Sequence, residues 1–253
     1  MLFDTHAHLT DPAFDTDRNQ VLSNLVSNGV SHVILPGCTV EDSRFARELA
    51  HGYDNVYFAA GVHPEHIISM EYGDIDLLSE LVADPKCVAV GEIGLDFYWE
   101  KDPEVRDTQR YWFAQQLHLA FDFGMPVIVH DRNAHQECFD AVRKSGVTGV
   151  FHCYSSAAEM AMELVKIGFY CSFNGVITYQ GTRKALRTIE ELPLERILLE
   201  TDSPYLTPVP FQKERNEPKH VFSVAQTIAR VKNLPVEEVV RVTTENAARL
   251  FRL

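Results

Sequence analysis

Short apolar runs alternate with longer amphipathic runs along the whole chain. The apolar runs are "LFDTH", "SHVILPG", "NVYFAAGVHP", "CVAVGEIGLD", "MPVIVHD", "VTGVFHC", "FYCSFNG" and "RILLETD". They are short and nearly continuous, the signature of parallel strands covered on both faces. Between them lie stretches with helical spacing. "RNQVLSNLVSNG" reads as a helix ending at Gly29, and "VEDSRFARELAHG" as a second with a glycine stop. "DIDLLSELVAD" and the long "PEVRDTQRYWFAQQLHLAFDFG" follow; Pro103 and Gly124 supply the start and stop signals of the latter. "HQECFDAVRKSG", "AAEMAMELVKIG", "TRKALRTIEEL" and "KHVFSVAQTIARVKN" complete the series, and "VEEVVRVTTENAARLF" adds one or two terminal helices.

Strand–helix alternation implies right-handed βαβ crossovers. Eight of them close into an α/β fold of one kind, a single (β/α)8 TIM barrel with an extra C-terminal helix. The 253 residues match the usual size of that barrel, so residues 1–253 read as one domain. A doubly wound open sheet is the main alternative. No Gly-rich nucleotide fingerprint follows the first strand to support it. There is no low-complexity tract, internal repeat or Gly/Ser linker.

The charge balance is 23 basic against 36 acidic residues, a net of −13. It argues against a broad basic face that grips duplex nucleic acid. It leaves room for a phosphate substrate, since bound divalent ions supply positive charge locally. The five cysteines are spread out with no C-x-x-C pair, which speaks against a disulfide framework or a zinc knuckle. That usage, with no apolar run of membrane length and no signal-like N-terminus, leads to the expectation of a cytoplasmic protein.

In such a barrel the chemistry sits at the C-terminal ends of the strands. Metal-capable residues gather there: His6 and His8 after the first strand, Glu92 in the fourth, His130 and His152 ending the fifth and sixth, and Asp202 ending the eighth. Taken singly, His130 and His152 also read as core histidines, and Asp202 as a helix cap. Glu92 is harder to explain away, because a carboxylate between "CVAV" and "IGL" is costly to bury unpaired. Four imidazoles and two carboxylates suit divalent ions such as Zn, Mn, Co or Ni. They are too many for one tetrahedral ion with an open position, and two ions bridged by a carboxylate would use them all.

"DTHAHL", "GVHP", "GEIGLDFYW", "PVIVHDR", "FHCYSS", "LLETDSPYL", "RNEP" and "ENAARLF" run in order from residue 4 to 251. In these stretches the chain resembles the TatD-type metal-dependent deoxyribonucleases, relatives of the amidohydrolases. The resemblance implies a barrel with two divalent metal ions, Mg included among the possible identities, that hydrolyses DNA phosphodiester bonds from the 3′ end. It implies that His6, His8, Glu92 and Asp202 hold one ion, and that Glu92, His130 and His152 hold the other. Tyr154 and Ser156 depart from the family pattern, which usually has Phe and Gly there.

On this reading a two-metal hydroxide mechanism operates, with Asp202 as general base beside the bridging Glu92. His63, Arg132, Arg215 and Asn216 are the expected substrate contacts, and Asp96 and Tyr98 lie in second-layer or rim positions. The expected partner is DNA, single-stranded or with frayed ends, with no membrane and no obligate protein partner. The rival is an amide, ester or lactone hydrolase such as a D-aminoacyl-tRNA deacylase, which the same chemistry serves. No lysine ends the fourth strand to act as the carboxylated bridge common in amidohydrolases. A non-catalytic metal-binding scaffold is a second rival.

Overall fold

The computed structural model describes residues 1–253. Eight strands appear in chain order: β1 (Leu2–Asp4), β2 (Val30–Pro36), β3 (Val56–Ala60), β4 (Cys87–Asp96), β5 (Val127–Arg132), β6 (Gly149–Phe151), β7 (Tyr170–Phe173) and β8 (Ile197–Leu199). They pair in parallel with each sequence neighbour, from β1 to β8. The helices are α1 (Arg18–Ser23), α2 (Val40–His51), α3 (Tyr72–Val82), α4 (Pro103–Phe123), α5 (His135–Ser145), α6 (Ala158–Lys166), α7 (Arg183–Glu191), α8 (Val221–Lys232) and α9 (Val236–Phe251). This is the (β/α)8 barrel with a C-terminal helix that the alternation predicts. No helix is long and apolar enough to cross a membrane.

Two packed layers hold it together. Phe3, Ile34, Ala59, Val88, Ile128, Val150, Tyr170 and Leu198, one from each strand, meet in a single buried cluster and so fill the barrel interior. Ala247, Leu250 and Phe251 of α9 join that cluster, so the terminal helix plugs one end of the barrel. A larger apolar cluster seals the sheet against the surrounding helices. The plug leaves the opposite end, where the strands finish, for chemistry.

The seam between β8 and β1 is irregular. Only Ala7 and Ser203 form a ladder bridge. Closure comes from single bonds: Thr5 N–H donates to Leu199 O (3.0 Å), Asp202 N–H to His6 O (2.9 Å) and His8 N–H to Ser203 O (2.7 Å). The buried Asp4 carboxylate accepts from Thr201 N–H at 2.9 Å across the same seam.

Two expectations need correction. The first helix stops at Ser23, not near Gly29, and turns carry the chain onward. Asn24, Ser27 and Asn28 follow, and such side chains compete for backbone partners; the Ser27 hydroxyl donates to Asn24 O. The regular strands also end short of several site residues: β1 at Asp4, β6 at Phe151 and β8 at Leu199. His6, His8, His152 and Asp202 therefore stand on the irregular continuations just beyond the sheet.

Glycines let β4 and β5 run close together, most tightly at Gly94. Gly94 pairs with His130 and has φ +151°, and a Cβ there would lie 1.9 Å from His130 O. Gly94→Ala should lower the melting temperature by roughly 2–12 °C. It should also reduce metal bound per chain, since the displaced strand carries His130. Calorimetry with metal analysis checks this, and an unchanged melting curve would contradict the close approach.

Candidate metal centre

Glu92 lies inside β4 and is almost fully buried. Its two carboxylate oxygens face different imidazoles. Oε2 is 3.2 Å from His6 Nε2 and 3.7 Å from His8 Nε2. Oε1 is 2.7 Å from His152 Nε2, 2.8 Å from His130 Nδ1 and 3.4 Å from His63 Nε2. Asp202 approaches the first group, with Oδ1 3.3 Å from His8 Nε2 and 3.7 Å from His6 Nε2. A left-handed backbone at Asp202 (φ +58°) marks the sharp turn of the chain there. All six residues expected to be ligands are thus brought together.

The donor set fits divalent cations. His6 Nε2 and His8 Nε2 are 3.1 Å apart, and His130 Nδ1 and His152 Nε2 are 3.2 Å apart. Two nitrogens each about 2.0–2.1 Å from one ion in a near-tetrahedral arrangement stand at about this separation. Neutral imidazoles with facing lone pairs would repel unless a proton or a cation lay between them. Without metal, protons take that place. Burial pulls His8 down, but Cys38 and Asp202 outweigh it and hold the imidazole well above its ordinary value. Burial likewise opposes His152, and Glu92 and Glu200 lift it well above. Burial and the neighbouring His152 keep His6 low. For Glu92, burial would raise the carboxyl, yet the surrounding histidines together hold it well below the usual carboxylate range.

A sequence model described as "TatD related DNase" matches residues 3–252. The chain belongs to the TatD-related DNase family. It is 40% identical to the uncharacterized metal-dependent hydrolase YabD of Bacillus subtilis strain 168, over the full length of both. It is 36% identical to the uncharacterized metal-dependent hydrolase YcfH of Escherichia coli strain K12, covering 100% of this chain and 96% of that protein. Among solved structures, YjjV, a TatD homologue from E. coli K12, superposes with a TM-score of 0.93 at 30% identity, covering 100% of this chain and 98% of that one. The TatD-family chain is accordingly a metal-dependent hydrolase.

The other expected site residues divide. His63 stands inside the TatD-family cluster: its ring packs edge-on to His130 at 4.3 Å, and Nδ1 accepts the Glu65 N–H at 3.2 Å. Burial and the nearby His130 lower its imidazole to about 4, so it is neutral at pH 7. Asp96 is buried, with Oδ2 3.1 Å from His130 Nε2. A carboxylate on the far nitrogen orients a metal-ligating imidazole and raises its basicity. Arg132 lies at the rim over the Tyr98 ring.

Arg215 and Asn216, expected as substrate contacts, direct most of their donors into the loop itself, and only Arg215 Nε is left without a partner. Arg215 makes a two-pronged pair with Asp17 (both 2.7 Å), donates to Glu217 and Ala13 O, and lies over the Phe14 ring. Asn216 is fully buried and donates to Thr201 O and Tyr205 O. Both brace the loop after β8 that carries Asp202. Tyr154 and Ser156, the departures from the family pattern, are buried in the wall beyond β6.

Two residues escaped sequence reasoning. Glu200 in "LLETD" is fully buried, accepts from Cys153 N–H, Asn174 Nδ2 and the Ser172 hydroxyl, and lies 3.7 Å from His152 Nδ1. A carboxylate ending an apolar strand was the available signal. Cys38 Sγ is 3.7 Å from His8 Nδ1, a neighbour that no local pattern marks.

Loading the metal-free protein at pH 7 should release protons, because the cation displaces those on His8 and His152. Metal affinity should weaken as pH falls, since protons compete for the same nitrogens. A Zn²⁺ titration in weak buffer with a pH indicator checks both; loading without proton release would contradict this cluster as the metal site.

Proposed function

We propose that this TatD-family protein is a deoxyribonuclease that removes nucleotides from the 3′ end of single-stranded or frayed DNA, using two divalent ions. The observation that carries the reading is the split of Glu92: Oε2 toward His6 and His8, Oε1 toward His130 and His152. A carboxylate has two oxygens and can share itself between two cations, which a neutral imidazole with one free lone pair cannot. His6, His8, Glu92 and Asp202 would hold one ion, and Glu92, His130 and His152 the other. When bound, the ions polarise the phosphate, lower the pKa of water to about 7 and neutralise developing charge.

The chain's own residues supply the remaining parts. Asp202 is ionised: burial opposes this, but His8 and His6 together lower its carboxyl. It accepts the proton of the attacking water as oxygen bonds to phosphorus and the P–O3′ bond breaks, and that proton passes to the departing O3′ to leave a 3′-hydroxyl. With Nδ1 of His63 taken by the Glu65 N–H, the proton resides on Nε2, which points into the cluster as a neutral donor for a phosphate oxygen. Arg132 takes a phosphate oxygen at the rim.

The charge around the site supports attack at an end. A cavity of about 450 Å³ opens from the cluster past Asp11 and Asp42, with no Lys or Arg in its lining. A polyanion extending that way would meet the carboxylates of Asp11 and Asp42 and no lysine or arginine. The strand therefore runs out on the other side, toward Arg132, and the scissile phosphate lies near its terminus.

Metal-reconstituted protein should degrade single-stranded DNA from the 3′ end, act more slowly on blunt duplex, and leave closed circular duplex unnicked. A parallel assay on aminoacyl-tRNA separates the rival ester hydrolase, and activity on the ester alone overturns the DNA reading. Glu92→Ala should keep the barrel's circular dichroism but lose the second ion and nearly all turnover. Asp202→Ala should be comparably inactive while keeping the ion on the His130 side. Two ions and near-normal turnover in Glu92→Ala would end the bridging assignment.

A further inference from the structure

A second cavity, of about 640 Å³, adjoins the cluster and shares Glu65, His130, His152, Asp202 and Tyr205 with the first. Its outer wall carries Trp99, Arg132 and Tyr205. Arg132 is the one Lys or Arg lining either cavity. Unlike Arg110, Arg187 or Arg215, it has no carboxylate partner. Its guanidinium instead lies 4.2 Å from the Tyr98 ring centroid and 5.3 Å from that of Trp99. Trp99 is 62% exposed, although the other tryptophan, Trp112, is buried.

The turn that presents these rings is fixed. Asp96 Oδ1 accepts both the Tyr98 and the Trp99 N–H groups at 2.9 Å. Arg106 binds Phe97 O and Glu100 O behind them, and Lys101 Nζ donates to Phe97 O. Asp96 Oδ2 faces His130 in the same residue. One carboxylate thus positions a candidate metal ligand and the aromatic turn together. An exposed indole held rigidly beside an unpaired guanidinium matches what single-stranded nucleic acid asks for: a ring to stack a base and a cation for its phosphate.

We propose that Trp99 and Arg132 form a nucleotide subsite, in which a base next to the scissile phosphate stacks on the Trp99 indole and Arg132 holds the adjoining phosphate. This rests on the DNA reading and adds to it a residue that recognises the base. Stacking tolerates any base, so the subsite selects unpaired ends over sequence: a base engaged in a duplex has no free face to offer.

The test pairs two substrates with three proteins. Wild type, Trp99→Ala and Trp99→Phe, all metal-loaded, are assayed on a single-stranded oligonucleotide and on the same strand with its last two residues abasic. Circular dichroism and bound metal confirm that each variant is intact. On the normal strand Trp99→Ala should raise KM about 5- to 100-fold with kcat little changed, and Trp99→Phe should recover most of the loss. On the abasic strand the three proteins should have equal KM. Quenching of tryptophan fluorescence by a strand with phosphorothioate ends should be large in wild type and lost in Trp99→Ala. Equal KM for wild type and Trp99→Ala on the normal strand overturns the subsite while leaving the nuclease reading in place, and so does an equal KM rise on both strands. If wild type hydrolyses neither strand, the nuclease reading fails first and the subsite falls with it.

Discussion

The site is organised around one buried carboxylate shared between two groups of imidazoles. Glu92 sits within a fully buried strand, where an isolated charge would be very costly. Its position is tolerable only because each oxygen has its own cationic surroundings, whether protons on histidines or metal ions. Removing either side leaves half of a buried charge uncompensated. The geometry of five separate chain segments is therefore tied to the direction in which this one side chain points.

That constraint explains features of the barrel that regular packing does not. The seam between β8 and β1 gives up ladder pairing where His6, His8 and Asp202 must turn inward, and single hydrogen bonds close it instead. Asp4 and Thr201 lock the seam from beneath, while Arg215 and Asn216 brace the loop above it. The far end of the barrel, stoppered by Phe251 and its neighbours on α9, bears the packing, so the ligand end is free to be irregular.

Much of this was legible in the chain. β4 occupies the whole of "CVAVGEIGLD", because a continuous apolar run admits few other readings. α4 begins at Pro103 and ends before Gly124 in the left-handed conformation, as residue chemistry dictates. The six ligand candidates were visible because imidazoles and carboxylates at strand ends have few structural uses. What local patterns could not show were pairings made at long range. Arg215 looks available until Asp17 is brought beside it from almost 200 residues away. Glu200 hides behind Asp202 in the same motif, and its role depends on Ser172 in β7 and on Asn174 and Cys153 just beyond β7 and β6. The plug made by α9 was likewise invisible, since its apolar face could equally have packed on the outside of the barrel.

The role proposed for Glu92 is to join two ions in one centre. Electron paramagnetic resonance of the protein reconstituted with Mn²⁺ tests it most directly, because neighbouring ions bridged by a carboxylate couple their spins and isolated ions do not. Two Mn²⁺ per chain are expected in the active protein, with the spectrum of a coupled pair that collapses to that of isolated ions in Glu92→Ala. A fully active protein holding a single uncoupled Mn²⁺ per chain would contradict it.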